Sequence, residues 1–249
     1  MPRYDGNVTK TPSLGRAGLA WYRGLLQRDG VLRGTAHALG SGWELALDYL
    51  PSRKRLRYGD IDYDFDHGVN TTWAAPTLSV RLREIFTRGQ YQPSEPELFR
   101  RILDELKVNH SEFVFIDLGS GKGRTLLMAA DYPFRKIIGA EIIPELHATA
   151  EQNITRYHSD SQKCFELEAW LGDAREFPYP PAPLVLYLFN PFPADILRDV
   201  LQQIHATFTQ SPREIFVIYH NLVHEDVFRS MEFMRTILHT PQYAIYRLS

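Results

Sequence analysis

Residues Phe115 to Thr125, FIDLGSGKGRT, set Gly119, Gly121 and Gly123 at alternate positions behind an acid, Asp117. A loop of this kind brings main-chain N–H groups close to a ligand, and several chemistries use one. A nucleoside triphosphate loop requires GxxxxGK followed by Ser or Thr, because the lysine reaches the outer phosphates and the hydroxyl holds magnesium. Aligning Gly121 and Lys122 with that GK puts Gly123 where the hydroxyl belongs and Ile116 where the first glycine belongs. That reading fails twice. A dinucleotide loop requires GxGxxG, whose third glycine lets a helix cross the strand closely, and here Arg124 would be crowded into the crossing. What remains is an acid followed by GxGxG, including Ser120, with Lys122 read as a solvent-facing side chain.

Other residues extend the chemistry. Glu141 ends the next strand, 22 residues after Gly119, where a carboxylate can accept both ribose hydroxyls of a nucleoside. Ile142 follows as an apolar wall for the base. Asp173 and Ala174 follow a third strand, and Asn190, Pro191, Phe192 and Pro193 follow a fourth, LVLYLF. Taken singly, each acid reads equally well as a loop carboxylate or a helix cap. Three in order at strand ends point to one ligand. His220 and Asn221 follow the fifth strand, EIFVIY. His220 is open to two readings, a base that collects a proton or a hydrogen-bonded structural histidine. Tyr91 lines the ligand pocket or covers the sheet, and His147 is read as surface. The Asn-Pro pair is open too, as a reactive segment or as a strand-ending turn with Phe192 in the core.

Asp117 with the GxGxG loop resembles motif I of the class I S-adenosylmethionine-dependent methyltransferases. The resemblance covers residues 91 to 249. It implies that Asp117 orients the amino end of the methyl donor, that Gly119, Ser120, Gly121, Gly123, Glu141, Ile142, Asp173, Ala174, Tyr91 and Asn190 hold the donor, and that the cofactor is S-adenosyl-L-methionine. Asn190 and Pro191 are similar to the start of motif IV of nitrogen-directed methyltransferases, in which the Asn side chain and the proline carbonyl accept hydrogen bonds from the target amine. The segment departs from that motif at Phe192 and Pro193, which stand where a second proline and an aromatic are usual. Asn190 with Phe192 also resembles the seven-strand, non-SET histone-lysine methyltransferases. The resemblance implies catalytic roles for Asn190, Pro191 and Phe192, with His220 as a candidate base, and a protein or small-molecule acceptor. The tract YDFDHGVNTT to YQPSEPELFRRIL resembles bacterial proteins known only as class I methyltransferases by prediction, and N-terminal helical additions of the superfamily often form a lid.

Short apolar strands separated by helices predict an α/β fold, a doubly wound, mostly parallel sheet buried on both faces. With the resemblance, this becomes a Rossmann-like sheet of seven strands. The tract FMRTILHTPQYAIYRLS predicts a hairpin around TPQ that adds a C-terminal antiparallel strand. Helices are expected from about Thr125, from about Pro144 and over 194–207. Upstream, apolar residues from Arg16 to about Leu50 recur at helical spacing, broken by RDG and GSG, and predict two short helices. A further helix is expected over 77–87. Residues 1–90 therefore read as an N-terminal helical extension and 91–249 as the catalytic domain. The run PSRKRLRYGDIDYDFD is open to two readings, a docking surface for a charged partner or a solvated loop whose opposite charges satisfy each other, and charge runs usually solvate. Ser94 with Glu97 reads as a capping box for the helix that Pro96 opens.

Of the 249 residues, 44% are hydrophobic and 23% charged, with a net charge of −2. That balance gives no global field for nucleic acid. The single cysteine, Cys164, excludes an intramolecular disulfide and a cysteine zinc cluster, and no metal site is expected. No apolar run reaches the length of a membrane span and the first residues lack the core of a signal peptide, so a cytoplasmic protein is expected. Two alternatives to methyl transfer stay open, a nicotinamide-dependent oxidoreductase and a donor-binding module without turnover.

Overall fold

The computed structural model describes residues 14–48, 61–71 and 94–249. The expected helix over 77–87, Tyr91 and the basic half of the charged run lie outside the described residues. The chain forms two compact units, one of Met1–Gly59 with Trp73–Tyr91 and one of Asp60–Thr72 with Gln92–Ser249.

In the first unit, α1 (Leu14–Asp48) is two helices joined at Gly30, whose φ of 77° and ψ of 169° interrupt the helical path. The break falls in RDG as expected, whereas GSG at 40–42 stays helical. Leu25 is buried, and the backbone of Gly34 lies so close that an added Cβ would come within 3.0 Å of the Leu25 carbonyl carbon. Tyr22 and Thr35 join their hydroxyls across the break at 3.1 Å. The two segments form a hairpin.

The second unit opens with α2 (Ile61–His67) and α3 (Pro96–Glu105), followed by β1 (Val114–Leu118), α4 (Arg124–Ala129), β2 (Lys136–Glu141), α5 (Pro144–Arg156) and β3 (Leu167–Leu171). Then come β4 (Leu184–Phe189), α6 (Ala194–Gln210), β5 (Ile215–His220), α7 (Glu225–Arg229), β6 (Met234–His239) and β7 (Tyr243–Leu248). The strand order is β3-β2-β1-β4-β5-β7-β6. β1 to β5 run parallel, and β7 is antiparallel to both β5 and β6. The hairpin turns at TPQ, where Thr240 bonds back to Tyr243.

Period-two alternation divides the sheet into two apolar faces. Phe115, Val185, Tyr187, Phe216 and Ile218 face the side of α3 and α4, where Phe99, Ile102 and Leu126 pack. Val114, Ile116, Leu186, Val217 and Tyr219 face α6, whose Leu197, Val200, Leu201 and Ile204 form a stripe at helical spacing. Strands buried on both faces suit a mostly parallel sheet covered by helices on either side.

The expected capping box does not form. Glu95, not Ser94, is the N-cap of α3, without a side-chain cap, and Pro96 opens the first turn as expected. Ser94 is buried and its hydroxyl lies 2.9 Å from the Tyr187 hydroxyl. A buried tertiary partner outcompetes the local one because Ser94 is itself buried, and its hydroxyl is satisfied there by the Tyr187 phenol.

Gly139 on β2 marks the tightest helix–sheet approach. A Cβ there would fall 2.6 Å from both Leu126 Cδ1 and Ser120 Oγ. Gly139→Ala is expected to lower the free energy of unfolding by about 2 kcal/mol, as overpacking does. Chemical denaturation measures this, and an unchanged midpoint would contradict the tight crossing.

Candidate functional site

From β1 the chain crosses in one direction through β2 to β3, and β4 and β5 lie on the other side of β1. The ends of β1 and β4 therefore flank a topological switch point, where open α/β sheets hold ligands. Gly119 follows β1 and Pro191 follows β4, and they touch. A Cβ on Gly119, whose φ is +86°, would overlap the Pro191 side chain. The structure thus brings the glycine loop and the Asn190–Phe192 segment together at this point.

Three bonds to the end of β2 shape the loop. The Gly119 and Ser120 N–H groups both donate to the Ala140 carbonyl, at 2.8 and 3.0 Å. The Glu141 carboxylate accepts the Gly121 N–H at 2.8 Å through one oxygen and the Ile143 N–H at 2.9 Å through the other. Each oxygen keeps a second lone pair for a hydroxyl donor. Glu141 is buried, and burial raises its pKa. Beside it Ile142 is 61% exposed, a large apolar side chain open to a planar base. Asp117, at the end of β1, is buried and accepts a hydrogen bond from the Thr125 hydroxyl. Burial, with the neighbouring Glu141 charge adding to it, pushes Asp117 up to about 7 despite that bond. A cationic group placed against this carboxylate would favour its ionised form.

Asp173 caps the 3-10 turn Ala174–Glu176 by accepting the Arg175 N–H at 2.9 Å. Its carboxylate also pairs with the Arg175 guanidinium at 2.6 Å, which holds its pKa below the usual carboxylate range. Ala174 is buried in the core of the α6 face.

Asn190 has φ of 43°, in the left-handed region that asparagine tolerates better than most residues. Its side-chain oxygen accepts the Tyr219 hydroxyl at 2.7 Å, and that hydroxyl accepts the His224 N–H at 3.1 Å. Tyr219, absent from the sequence reading, thereby fixes the carboxamide. Its signal was its place in β5, one residue before His220 and on the opposite face of the sheet. Phe192 is half-buried, packed against the α6 face core.

Two expectations about charged side chains are corrected. Lys122 is half-buried, with Nζ donating to Asn70 Oδ1 at 3.1 Å, and burial lowers its pKa. His147 is half-buried too, with Nε2 3.3 Å from the Ala169 carbonyl oxygen of β3. Both partners are far along the chain and invisible to local pattern. No group of metal-ligating side chains occurs among the described residues, and no described helix is long and apolar enough to cross a membrane.

His220 ends β5 and is buried. Its Nδ1 lies 2.7 Å from the Tyr187 hydroxyl, which also meets Ser94. The ring stacks on Phe189 with centroids 4.1 Å apart. With Glu95, Leu98, Phe189, Asn221, Pro241 and Gln242 it lines a cavity of about 290 Å³. Burial pushes its pKa down to about 4, which leaves it neutral and weakly basic. This favours the structural reading. The unfolded chain binds a proton at this histidine near its ordinary value while the folded chain refuses it down to about 4, so its contribution is lost as pH falls through that window. The stability advantage of the native chain over His220→Gln is expected to shrink by roughly 3 kcal/mol between about pH 7 and 4. Parallel denaturation curves at the two pH values would contradict this.

The strand order, with β7 reversed and the acid-GxGxG loop at the switch point, is that of a Rossmann-like α/β sheet. The model of the family described as Histone methylation protein DOT1 matches residues 77–168, which include the loop and Glu141 and stop before Asn190. No curated protein matches the chain in sequence. Among solved structures, the chain is similar to an RNA methyltransferase from Salinibacter ruber in complex with S-adenosyl-L-homocysteine, at 22% identity, covering 63% of this chain and 92% of that one with a TM-score of 0.42. A ribosomal protein L11 methylase from Lactobacillus delbrueckii subsp. bulgaricus is 12% identical, over 61% of this chain and 76% of that one with a TM-score of 0.45. A predicted N6-adenine-specific DNA methylase from Listeria monocytogenes is 14% identical, with 63% of this chain spanning 51% of that one and a TM-score of 0.47.

Proposed function

We propose that the chain transfers the methyl group of S-adenosylmethionine to a nitrogen, either a protein lysine or a small-molecule amine. The observation that carries this reading is the Asn190 carboxamide, anchored by Tyr219 beside the Pro191–Gly119 contact. A carboxamide oxygen and a proline carbonyl are acceptors only, suited to orient the N–H groups of an amine and with them its lone pair. When bound, the donor supplies an electrophilic methyl group on a sulfonium.

The residues present suit that donor. Asp117 meets its amino end, the second lone pairs of Glu141 take the ribose hydroxyls, and exposed Ile142 covers the adenine. Asp173 and Ala174 lie at the end of the neighbouring strand for the adenine edge, and the glycine loop from Gly119 to Gly123 cradles the remainder. Tyr91 stays part of the same proposal, as does the lid role of residues 1–90. His220 is a neutral wall of its cavity and not a strong base, because burial lowers its affinity for a proton. The family match to histone methylation proteins favours an amine acceptor, and it covers the glycine loop, Glu141 and Ile142.

Transfer of labelled methyl from S-adenosylmethionine into fractionated cell extract, followed by mass spectrometry of the labelled species, tests the reading. Asn190→Ala is expected to lower transfer about a hundredfold or more, as loss of a positioned polar group at a reacting centre does. Full transfer by that variant would remove the nitrogen assignment.

A further inference from the structure

Residues 61–71 belong to the sheet-bearing unit, although the chain on either side of 60–72 belongs to the helical unit. The chain leaves the helical unit, lays α2 and the four residues after it against the sheet-bearing unit, and returns. This strap touches the donor loop as well as the end of α5.

On one side stands Arg124, the first residue of α4, whose side chain is 3% exposed. A guanidinium gains nothing from the positive end of a helix dipole, and a buried one is costly without partners. The strap provides them. Arg124 Nε donates to Thr71 Oγ1 at 2.7 Å, a terminal nitrogen lies 3.6 Å from Asp64 Oδ1, and the guanidinium sits over the Tyr63 ring at 5.1 Å. Thr71 is fully buried. Its hydroxyl donates to Asp64 Oδ1 and its N–H donates to Asp64 Oδ2 at 2.8 Å. The hydrogen bonds therefore run in one direction, arginine to threonine to aspartate.

On the other side stands Lys122. Its ammonium donates to Asn70 Oδ1, and its carbonyl accepts Asn153 Nδ2 at 2.9 Å. The same Asn153 carboxamide accepts the Asn70 N–H at 2.8 Å and donates to the Asn70 carbonyl at 2.9 Å. Both neighbours of Gly123, which has φ of +82°, are thus fastened to the strap. The other side chain of the loop, Ser120, has a buried hydroxyl without a hydrogen-bond partner among the described residues and does not fix that backbone.

We propose that the strap is a positioning element of the donor site, with Asp64, Asn70 and Thr71 setting the main chain of residues 121–124 through Arg124, Lys122 and Asn153. This rests on the reading of the loop as the donor loop. It also makes donor affinity sensitive to a segment whose two ends lead into the helical unit.

Thr71→Val keeps the shape of the side chain and removes the hydroxyl link, whereas Thr71→Ser keeps the hydroxyl. Val217→Ala, in the core of the α6 face, serves as a control for general loss of stability. Hydrogen exchange at the Gly121 and Gly123 amides is expected to quicken about tenfold or more in Thr71→Val, without ligand, and to return to about native rates in Thr71→Ser. S-adenosylhomocysteine affinity in the full chain should fall about tenfold in Thr71→Val, a loss of the size expected for a bond to a charged group. It should stay within about twofold of native in Thr71→Ser and Val217→Ala. Native exchange rates in Thr71→Val, or equal affinity losses in Thr71→Val and Val217→Ala, would overturn the proposal. Absence of S-adenosylhomocysteine binding by the native chain would overturn the donor reading instead, and the exchange rates would still decide whether the strap sets the loop.

Discussion

The Glu141 carboxylate joins the end of β2 to the glycine loop, and the site takes its shape from that bridge. One oxygen holds Gly121 and the other holds Ile143, so a single side chain fixes both the loop and the turn that presents Ile142. Backbone N–H groups are strong donors, and a buried carboxylate that accepts two of them is far cheaper to bury than one that accepts none. The Ala140 carbonyl receives Gly119 and Ser120 from the same loop. Strand end, loop and following helix are therefore one hydrogen-bonded piece, into which a ligand hydroxyl can be added through lone pairs the piece leaves over.

The pleat of the sheet assigns the rest of the chemistry to sides. Tyr219 points to the α6 face and reaches Asn190. Tyr187, in the neighbouring strand, points to the α3 face and bonds Ser94 and His220. Two tyrosines buried in the sheet thus orient two polar residues at its carboxyl edge from opposite faces. Burial alone would leave each phenol oxygen unpaired at a cost of about 1–3 kcal/mol, so both bonds serve the core and the site at once. The parallel pairing of β4 with β5, with Phe189 opposite His220, gives the ring stack its place.

Features written in consecutive residues were legible in the sequence. The glycine loop, the strand-ending acids, the hairpin at TPQ and the break at Gly30 follow from short spacings and from what glycine permits. Ser94, Lys122 and His147 were misread for one shared reason, that each finds its partner through the fold: Tyr187, Asn70 and Ala169 respectively. Exposed helix caps and solvated lysines are sound local expectations, and tertiary burial overrides both. Asp64 and Thr71 were hidden for the same reason. Asp64 sits in a run of acids that reads as a charged loop until Arg124, 60 residues on, is seen to be buried against it and Thr71. His220 was placed at the right edge, but its basicity depends on burial, which no spacing reveals.

Calorimetric titration of the purified chain with S-adenosylhomocysteine, and separately with NAD, tests most directly whether the bridge from Glu141 to the loop builds a methyl-donor site. Saturable heat with the sulfur nucleoside and none with the dinucleotide is the predicted result. Heat with NAD and none with S-adenosylhomocysteine would contradict the account.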